Sequence, residues 1–199
     1  HHQTFPHPGW VQHDADEIWR HVRRLVPEAL DQARVGVRDV AALGIANQRE
    51  TTVVWDRTTG HSLGPAITWQ DTRTADIVAE LVARGEDERI VDITGLPPHT
   101  YFAGPRLRWL LDHRPGLRDR AASGEVLFGT MESWLIWNLT GGVDGGVHVT
   151  DVTNASRTML MDLTTFTWSD TMLDLLDVPR AVLPTIRPSG EVYGTCVGD

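Results

Sequence analysis

The sequence predicts a fold of the α/β or α+β class, because three strand-like runs come first and strands then alternate with helices. β-branched and aromatic residues are frequent in residues 40–45 and 51–55, and a third run ends at residues 66–69. Turn-forming residues occupy 56–60, between the second run and the third. We therefore expect a strand meander in the first half of the chain, not the opening of a dinucleotide-binding unit.

Helix signals flank this meander. Asp14 and Asp16 are acidic N-cap candidates before an apolar stripe at helical spacing, so a helix should begin there. Pro27 should kink this helix or end its first part, because a proline ring removes a hydrogen-bond donor. Asp71 can cap a second helix, and Gly85 can stop it.

Strand and helix alternate in the second half. Residues 126–128 predict a buried strand that leads through a turn into a helix over 134–139, which Gly141 and Gly142 stop. These glycines begin a glycine-rich link over 141–146. Residues 158–163 predict a further strand, and 170–176 a short helix. The glycine-rich link lacks the GxGxxG and GxxxxGK[ST] patterns. We therefore expect no nucleotide site in these residues.

Charge, cysteine content and histidine spacing indicate which partners and which location the protein has. The net charge is −9 and the basic residues are scattered, which argues against a nucleic-acid or membrane partner and favours a small molecule. Cys196 is the single cysteine, so no intrachain disulfide is possible, and a cytoplasmic location is expected. The histidines near the start lack the spacing of a structural metal site, so no metal site is expected.

A polar pair between two predicted strands is the main candidate for chemistry. Arg49 and Glu50 are adjacent, so the backbone must turn or bulge for both to serve one ligand. A carboxylate, a guanidinium and the aromatic rings of Trp69 and Tyr101 would together suit an uncharged polyol. Residue types alone favour a plainer alternative, in which the Arg–Glu pair is exposed to solvent and both rings belong to the core.

A resemblance to a known family changes this balance. From residue 8 to residue 195 the chain resembles the FGGY family of carbohydrate kinases, and within it the branch that acts on glycerol. The segments that carry the resemblance are residues 8–14, 44–52, 127–130, 134–137 and 149–158. Among them, the run Asn-Gln-Arg-Glu-Thr-Thr at 47–52 is the one most specific to the glycerol branch.

The resemblance implies a glycerol pocket. In it Arg49 and Glu50 hydrogen-bond glycerol, Tyr101 adds a hydroxyl contact, and Trp69 packs against the carbon chain. It also implies an α/β fold of the actin-like, ribonuclease H-like type, with a mixed sheet covered by helices.

Two departures fall in the family signature over residues 101–113. Ala103 replaces a serine-type residue and Arg106 replaces a lysine. Because arginine and lysine are not interchangeable, we assign Arg106 no role from the sequence.

The resemblance also implies parts that the chain lacks. The family begins with a strand and a Gly-Thr-Thr phosphate turn, and its catalytic base and ATP-binding domain follow later. We therefore expect residues 1–199 to be one polyol-binding N-terminal domain, truncated at both ends and lacking its first strand. ATP and Mg²⁺ would bind the full-length parent, the base would lie downstream of Asp199, and the chain alone would be inactive.

Three interpretations stay open at this point. In the first, the full-length protein is a kinase that forms sn-glycerol 3-phosphate. In the second, the chain is a non-catalytic binding remnant. In the third, the full-length protein is a sister kinase that acts on a pentulose or a tetritol. A homo-oligomeric parent is compatible with the resemblance.

Overall fold

The computed structural model describes residues 1–197, in which strands and helices alternate. The strands are β1 Gln3–Thr4, β2 Gln12–His13, β3 Thr52–Asp56, β4 Ala66–Ile67, β5 Val126–Thr130, β6 Val149–Asp151, β7 Met161–Asp162, β8 Thr167–Trp168 and β9 Thr185–Arg187. The α-helices are α1 Ala15–Ala33, α2 Ala75–Ala83, α3 Asp87–Thr94, α4 Ala103–His113, α5 Leu117–Ala122, α6 Met131–Leu139, α7 Val152–Ala155 and α8 Asp170–Leu175. None of the described helices is long and apolar enough to cross a membrane.

The main sheet has five strands in the order β1-β2-β4-β3-β5, and all of its neighbouring strands are antiparallel. Its longest pairing joins β3 to β5, where Val54 lies opposite Phe128. Parallel pairing, expected within the main sheet, occurs instead in a separate two-stranded sheet of β6 and β9. The chain between β6 and β9 includes α7 and α8, which gives the long crossover that parallel strands require.

Both faces of the main sheet are buried. Successive residues of a strand point to opposite faces. Val54 therefore packs with Leu107 of α4 and Leu117 of α5 on one face. Trp55 packs with Trp134 of α6 on the other, where the start of α1 also lies. The α/β class is thus confirmed, with helices on both sides of the sheet.

Helix α1 begins as predicted but does not end where its proline suggests. Asp14 is the N-cap, and its carboxylate accepts hydrogen bonds from the amides of Asp16 and Glu17 at 2.9 and 3.1 Å. The helix continues through Pro27 to Ala33. Pro27 lies on an exposed stretch, where water can satisfy the carbonyl that loses its partner.

Two local predictions were wrong. Residues 40–45 form no strand and are mostly exposed, since a β-rich run becomes a strand only when a neighbouring strand pairs with it, and none of the described residues does so. Asp71 does not cap α2, whose N-cap is Thr74. The Asp71 carboxylate is buried and bonds Arg73 at 2.8 Å and the amide of Val11 at 2.6 Å.

Candidate substrate-binding site

Glu50 lies in a turn immediately before β3. Its backbone is left-handed, with φ of 64°, which is uncommon for a residue with a side chain. Its carbonyl oxygen accepts hydrogen bonds from Nη1 of Arg106 at 2.7 Å and from Oγ1 of Thr52 at 3.2 Å. The residue is only 2% exposed. These contacts hold the backbone in a conformation that the chain alone disfavours.

The Glu50 carboxylate is paired with Arg157, which follows α7. Nε of Arg157 donates to Oε1 of Glu50 at 2.9 Å. The guanidinium carbon also lies over the rings of Phe102, at 4.9 Å from the centroid, and Tyr101, at 5.6 Å. Oε2 of Glu50 accepts no hydrogen bond within residues 1–197. The ion pair supplies the counter-charge that a buried carboxylate requires and leaves one oxygen without a protein donor.

Trp69 and Tyr101 form an aromatic pair, and Arg157, the partner of this carboxylate, lies over the Tyr101 ring. Trp69 follows β4, Tyr101 precedes α4, and their ring centroids are 5.5 Å apart with an angle of 59° between the planes. Trp69 is 40% exposed, so one of the two rings is open to solvent. An exposed ring at this place can cover the C–H edges of a small ligand.

One buried cation connects the three segments that carry these residues. Arg106, in the first part of α4, donates to the carbonyl oxygens of Glu50, Trp69 and Tyr101, and also to that of Thr100. Its residue exposure is 0%. Glu50, Trp69 and Tyr101 are therefore brought together in space, although they lie far apart in the sequence.

Arg49 differs from the other three candidates. It is exposed, and it forms no hydrogen bond or ion pair with any other residue that the structure describes. It lies next to Glu50 in the turn, so the change of direction expected between the two residues is present. Its guanidinium is free to meet a ligand or solvent.

Sequence reasoning missed Arg157 as a partner of the site and left Arg106 without a role. Arg157 lies in a polar stretch whose residues mostly bond one another, as when Asp151 accepts from the amide of Asn154 at 2.9 Å. Nothing local marks Arg157 as different. Arg106 does carry a signal, because it lies on the apolar face of α4 with Leu107 and Leu110, where a charge requires a buried partner.

The other end of the turn is held by a buried carboxylate. Nδ2 of Asn47 donates to Oε2 of Glu132 at 2.9 Å and to Oδ1 of Asn154 at 3.2 Å. Burial raises the pKa of the Glu132 carboxyl, and hydrogen bonds from Thr130 and Thr150 oppose that shift. The turn over residues 47–50 is therefore anchored to the protein at both of its ends.

Metal-ligating side chains do not cluster in the part of the chain that the structure describes. No three His, Cys, Asp or Glu side chains of residues 1–197 cluster as a metal site. Two cavities of about 330 and 340 Å³ lie elsewhere, one lined by His2, His13 and Glu17 and the other by residues of α3. The candidate residues line neither cavity: Arg49 and Trp69 are exposed, whereas Glu50 is buried. One carboxylate already paired with an arginine does not fit a bound Mg²⁺.

Sequence comparison identifies the relatives of the chain. The N-terminal domain model of the FGGY family of carbohydrate kinases matches residues 1–199. Glycerol kinase of Renibacterium salmoninarum is 57% identical over 195 residues, covering 98% of this chain and 39% of that protein. Glycerol kinase 2 of Streptomyces avermitilis is 58% identical over 198 residues, covering 100% of this chain and 39% of that protein. The chain thus spans 39% of the length of these curated relatives.

Solved structures share the fold. Plasmodium falciparum glycerol kinase with ADP matches with a TM-score of 0.94 and 35% identity, covering 100% of this chain and 39% of that one. Gluconate kinase from Lactobacillus acidophilus matches with a TM-score of 0.84 and 25% identity, covering 98% and 37%. The family match, the identities and the shared fold agree, and the chain belongs to the FGGY family of carbohydrate kinases.

Proposed function

We propose that the full-length protein containing this chain transfers a phosphoryl group from ATP to a terminal hydroxyl of glycerol, giving sn-glycerol 3-phosphate. Residues 1–199 would form its polyol-binding N-terminal domain. The 57–58% identity to curated glycerol kinases supports this reaction. The activity is a proposal for the whole protein, because the chain spans 39% of those relatives.

The observation that carries the proposal is the orientation of the Glu50 carboxylate. Arg157 holds Oε1, while Oε2 has no donor within residues 1–197. A carboxylate oxygen in this state can accept a hydrogen bond from a ligand hydroxyl. Because the Glu50 residue is almost fully buried, such a bond would form away from competing water.

The neighbouring groups suit the rest of a three-carbon polyol. Arg49 has guanidinium donors that no other described residue occupies, and it can donate to a second hydroxyl. The rings of Trp69 and Tyr101 offer apolar surface for the carbon chain, and the Tyr101 hydroxyl offers a further polar contact. We assign these four residues to binding and orientation of the substrate.

ATP and Mg²⁺ are assigned to other parts of the full-length protein. The described residues contain no cluster of metal ligands, and the sequence has no phosphate-binding glycine motif. We place the catalytic base downstream of Asp199, as the family resemblance implies.

The test is a coupled assay of glycerol-dependent ADP formation by the full-length protein and its Glu50→Gln variant. The amide keeps the shape but weakens charge-assisted hydrogen bonds of about 1.5–3 kcal/mol, so kcat/KM should fall roughly 10- to 150-fold. Arg49→Ala should reduce kcat/KM by at least as much. Glu125→Gln is the matched control, because Glu125 is exposed and pairs only with residues of its own surface.

The assay also separates the alternatives. A preference for a tetritol or a pentulose over glycerol would assign the protein to a sister kinase. No turnover of any of these substrates by the full-length protein would favour a non-catalytic binding protein. Full activity of Glu50→Gln would remove Glu50 from the substrate site.

We also propose a cytoplasmic location, which suits the free and exposed thiol of Cys196. Cell fractionation would test it. A homo-oligomeric parent is a further proposal, tested by sedimentation of the full-length protein.

A further inference from the structure

Arg106 uses its charge in an unusual way for a buried side chain. A buried guanidinium normally pairs with a carboxylate, yet none of the hydrogen bonds of Arg106 goes to a side chain. All four acceptors are backbone carbonyl oxygens. They belong to the turn at Glu50, the segment after β4 at Trp69, and the segment before α4 at Thr100 and Tyr101.

We propose that Arg106 is a positioning residue for the substrate, which fixes Glu50, Trp69 and Tyr101 relative to one another without touching the ligand. This inference rests on the proposed function, since it assigns these three residues to glycerol. It gives a role to one of the two positions at which the chain departs from its family signature.

The hydrogen-bond pattern supports positioning and not simple filling of the core. Within residues 1–197, Arg106 makes the only hydrogen bonds that link the segment of Trp69 with that of Tyr101. The start of β3, which follows the Glu50 turn, has one other link to α4, a 3.4 Å bond from Thr52 to the carbonyl of Ala103. Without Arg106, no hydrogen bond would fix the spacing of Trp69 and Tyr101, which would depend on their ring contact and on the packing of Tyr101 against the core.

A guanidinium is suited to this arrangement. Its planar fork separates Nη1, which donates to the Glu50 turn, from Nη2, whose two hydrogens are shared by the carbonyls of the other two segments. A lysine ammonium would direct its donors from a single atom. Burial lowers the pKa of Arg106 to about 10, with the charges of Asp71 and Glu50 opposing the shift, so the side chain stays cationic at neutral pH.

The test compares Arg106→Met and Arg106→Lys with the wild type, in the full-length protein. Steady-state assays would give KM for glycerol and KM for ATP separately, well below the unfolding temperature of each variant. We expect KM for glycerol to rise by about tenfold or more in Arg106→Met and by less in Arg106→Lys, with KM for ATP changed by less than about twofold. Arg108→Met is the matched control, because Arg108 lies on the same helix and pairs with Glu80 outside the site.

A loss of stability alone would not support the proposal. A folded Arg106→Met variant with an unchanged KM for glycerol overturns it, whatever the change in melting temperature. Equal increases in both KM values also overturn it, because they would indicate a general disturbance. If Arg106→Met does not fold, Arg106→Lys decides. Absence of glycerol turnover in the wild type would instead refute the proposed function.

Discussion

The amide of Gly104 donates a 2.7 Å hydrogen bond to the carbonyl of Thr158, which joins the first turn of α4 to the segment that carries Arg157. A Cβ atom added at Gly104 would lie 2.7 Å from that same oxygen and 2.9 Å from Leu176. Carbon cannot approach a backbone oxygen so closely without a shift of the chain. The two segments that contribute Arg106 and Arg157 are therefore in contact through a position where only glycine fits.

We expect Gly104→Ala to destabilise the protein by about 1–3 kcal/mol, the usual cost of overpacking. Thermal unfolding of the full-length protein would show a lower midpoint. Gly44→Ala is the control, since nothing lies within 4 Å of a Cβ there, and its effect should stay within about 0.5 kcal/mol. Equal midpoints for the two variants would contradict the predicted clash.

The Glu50–Arg157 ion pair makes a second prediction. Arg157→Met removes the counter-charge of a buried carboxylate, so kcat/KM for glycerol should fall by about tenfold or more. Because the two residues act as a unit, Glu50→Gln combined with Arg157→Met should be less harmful than the sum of the single changes, with a coupling energy of about 0.5–3 kcal/mol. Arg180→Met, which breaks an exposed pair with Asp170, should leave activity unchanged. Strict additivity would show that Arg157 does not act through Glu50.

We expect His148 to make the protein less stable in acid. Burial lowers the pKa of its imidazole to about 4, and the nearby charge of Arg57 adds to the shift, while a 2.7 Å hydrogen bond to the carbonyl of Phe128 opposes it. Between about pH 6.5 and pH 4 the unfolded chain therefore binds a proton that the folded chain does not. Its contribution to stability is complete above about pH 6.5 and is lost as the pH falls towards 4.

Melting temperatures measured across this pH range would test the prediction. His148→Gln keeps a hydrogen-bond donor but cannot titrate. Between pH 6.5 and pH 4, the free energy of unfolding of this variant should fall by about 1–3 kcal/mol less than that of the wild type. We set this value below the full linkage energy because His148 is only half-buried. Identical pH profiles would show that His148 titrates normally.

The 199-residue chain by itself should show no glycerol-dependent ATP consumption, whereas the full-length protein should be active with Mg²⁺. Phosphoryl transfer needs nucleotide, metal and nucleophile held in line, and the described residues supply only candidates for holding the acceptor. The same coupled assay applied to both proteins is the measurement. Turnover by the short chain would place the base and the nucleotide site within residues 1–199.

The sequence predicted most of the elements that have a strong local pattern. Strand β5 and helix α6 follow directly from a buried run, a turn and a glycine stop. Strands β6 and β9 were missed because they have three residues each and depend on pairing with each other. The strand predicted at residues 40–45 was wrong for the converse reason. These residues have β propensity, but no strand among the described residues pairs with them.

Prediction of the candidate site depended on the family resemblance, because the residue types alone favoured an exposed pair and core aromatics. The structure supplies what local patterns cannot contain. Arg157 meets Glu50 across 107 positions of sequence, and Arg106 meets Glu50 across 56. Contacts of that separation are set by the arrangement of helices around the sheet, so no window of sequence could indicate them.

The left-handed backbone of Glu50 has a consequence for protein engineering. A side chain in this conformation costs on the order of 1 kcal/mol, and glycine or asparagine would relieve that cost. A screen that selects only for heat resistance should therefore enrich Glu50→Gly or Glu50→Asn, together with loss of the carboxylate that we assign to glycerol. Substitutions at this position that raise thermal stability would therefore weaken ligand binding. A library intended to preserve activity should keep Glu50 unchanged.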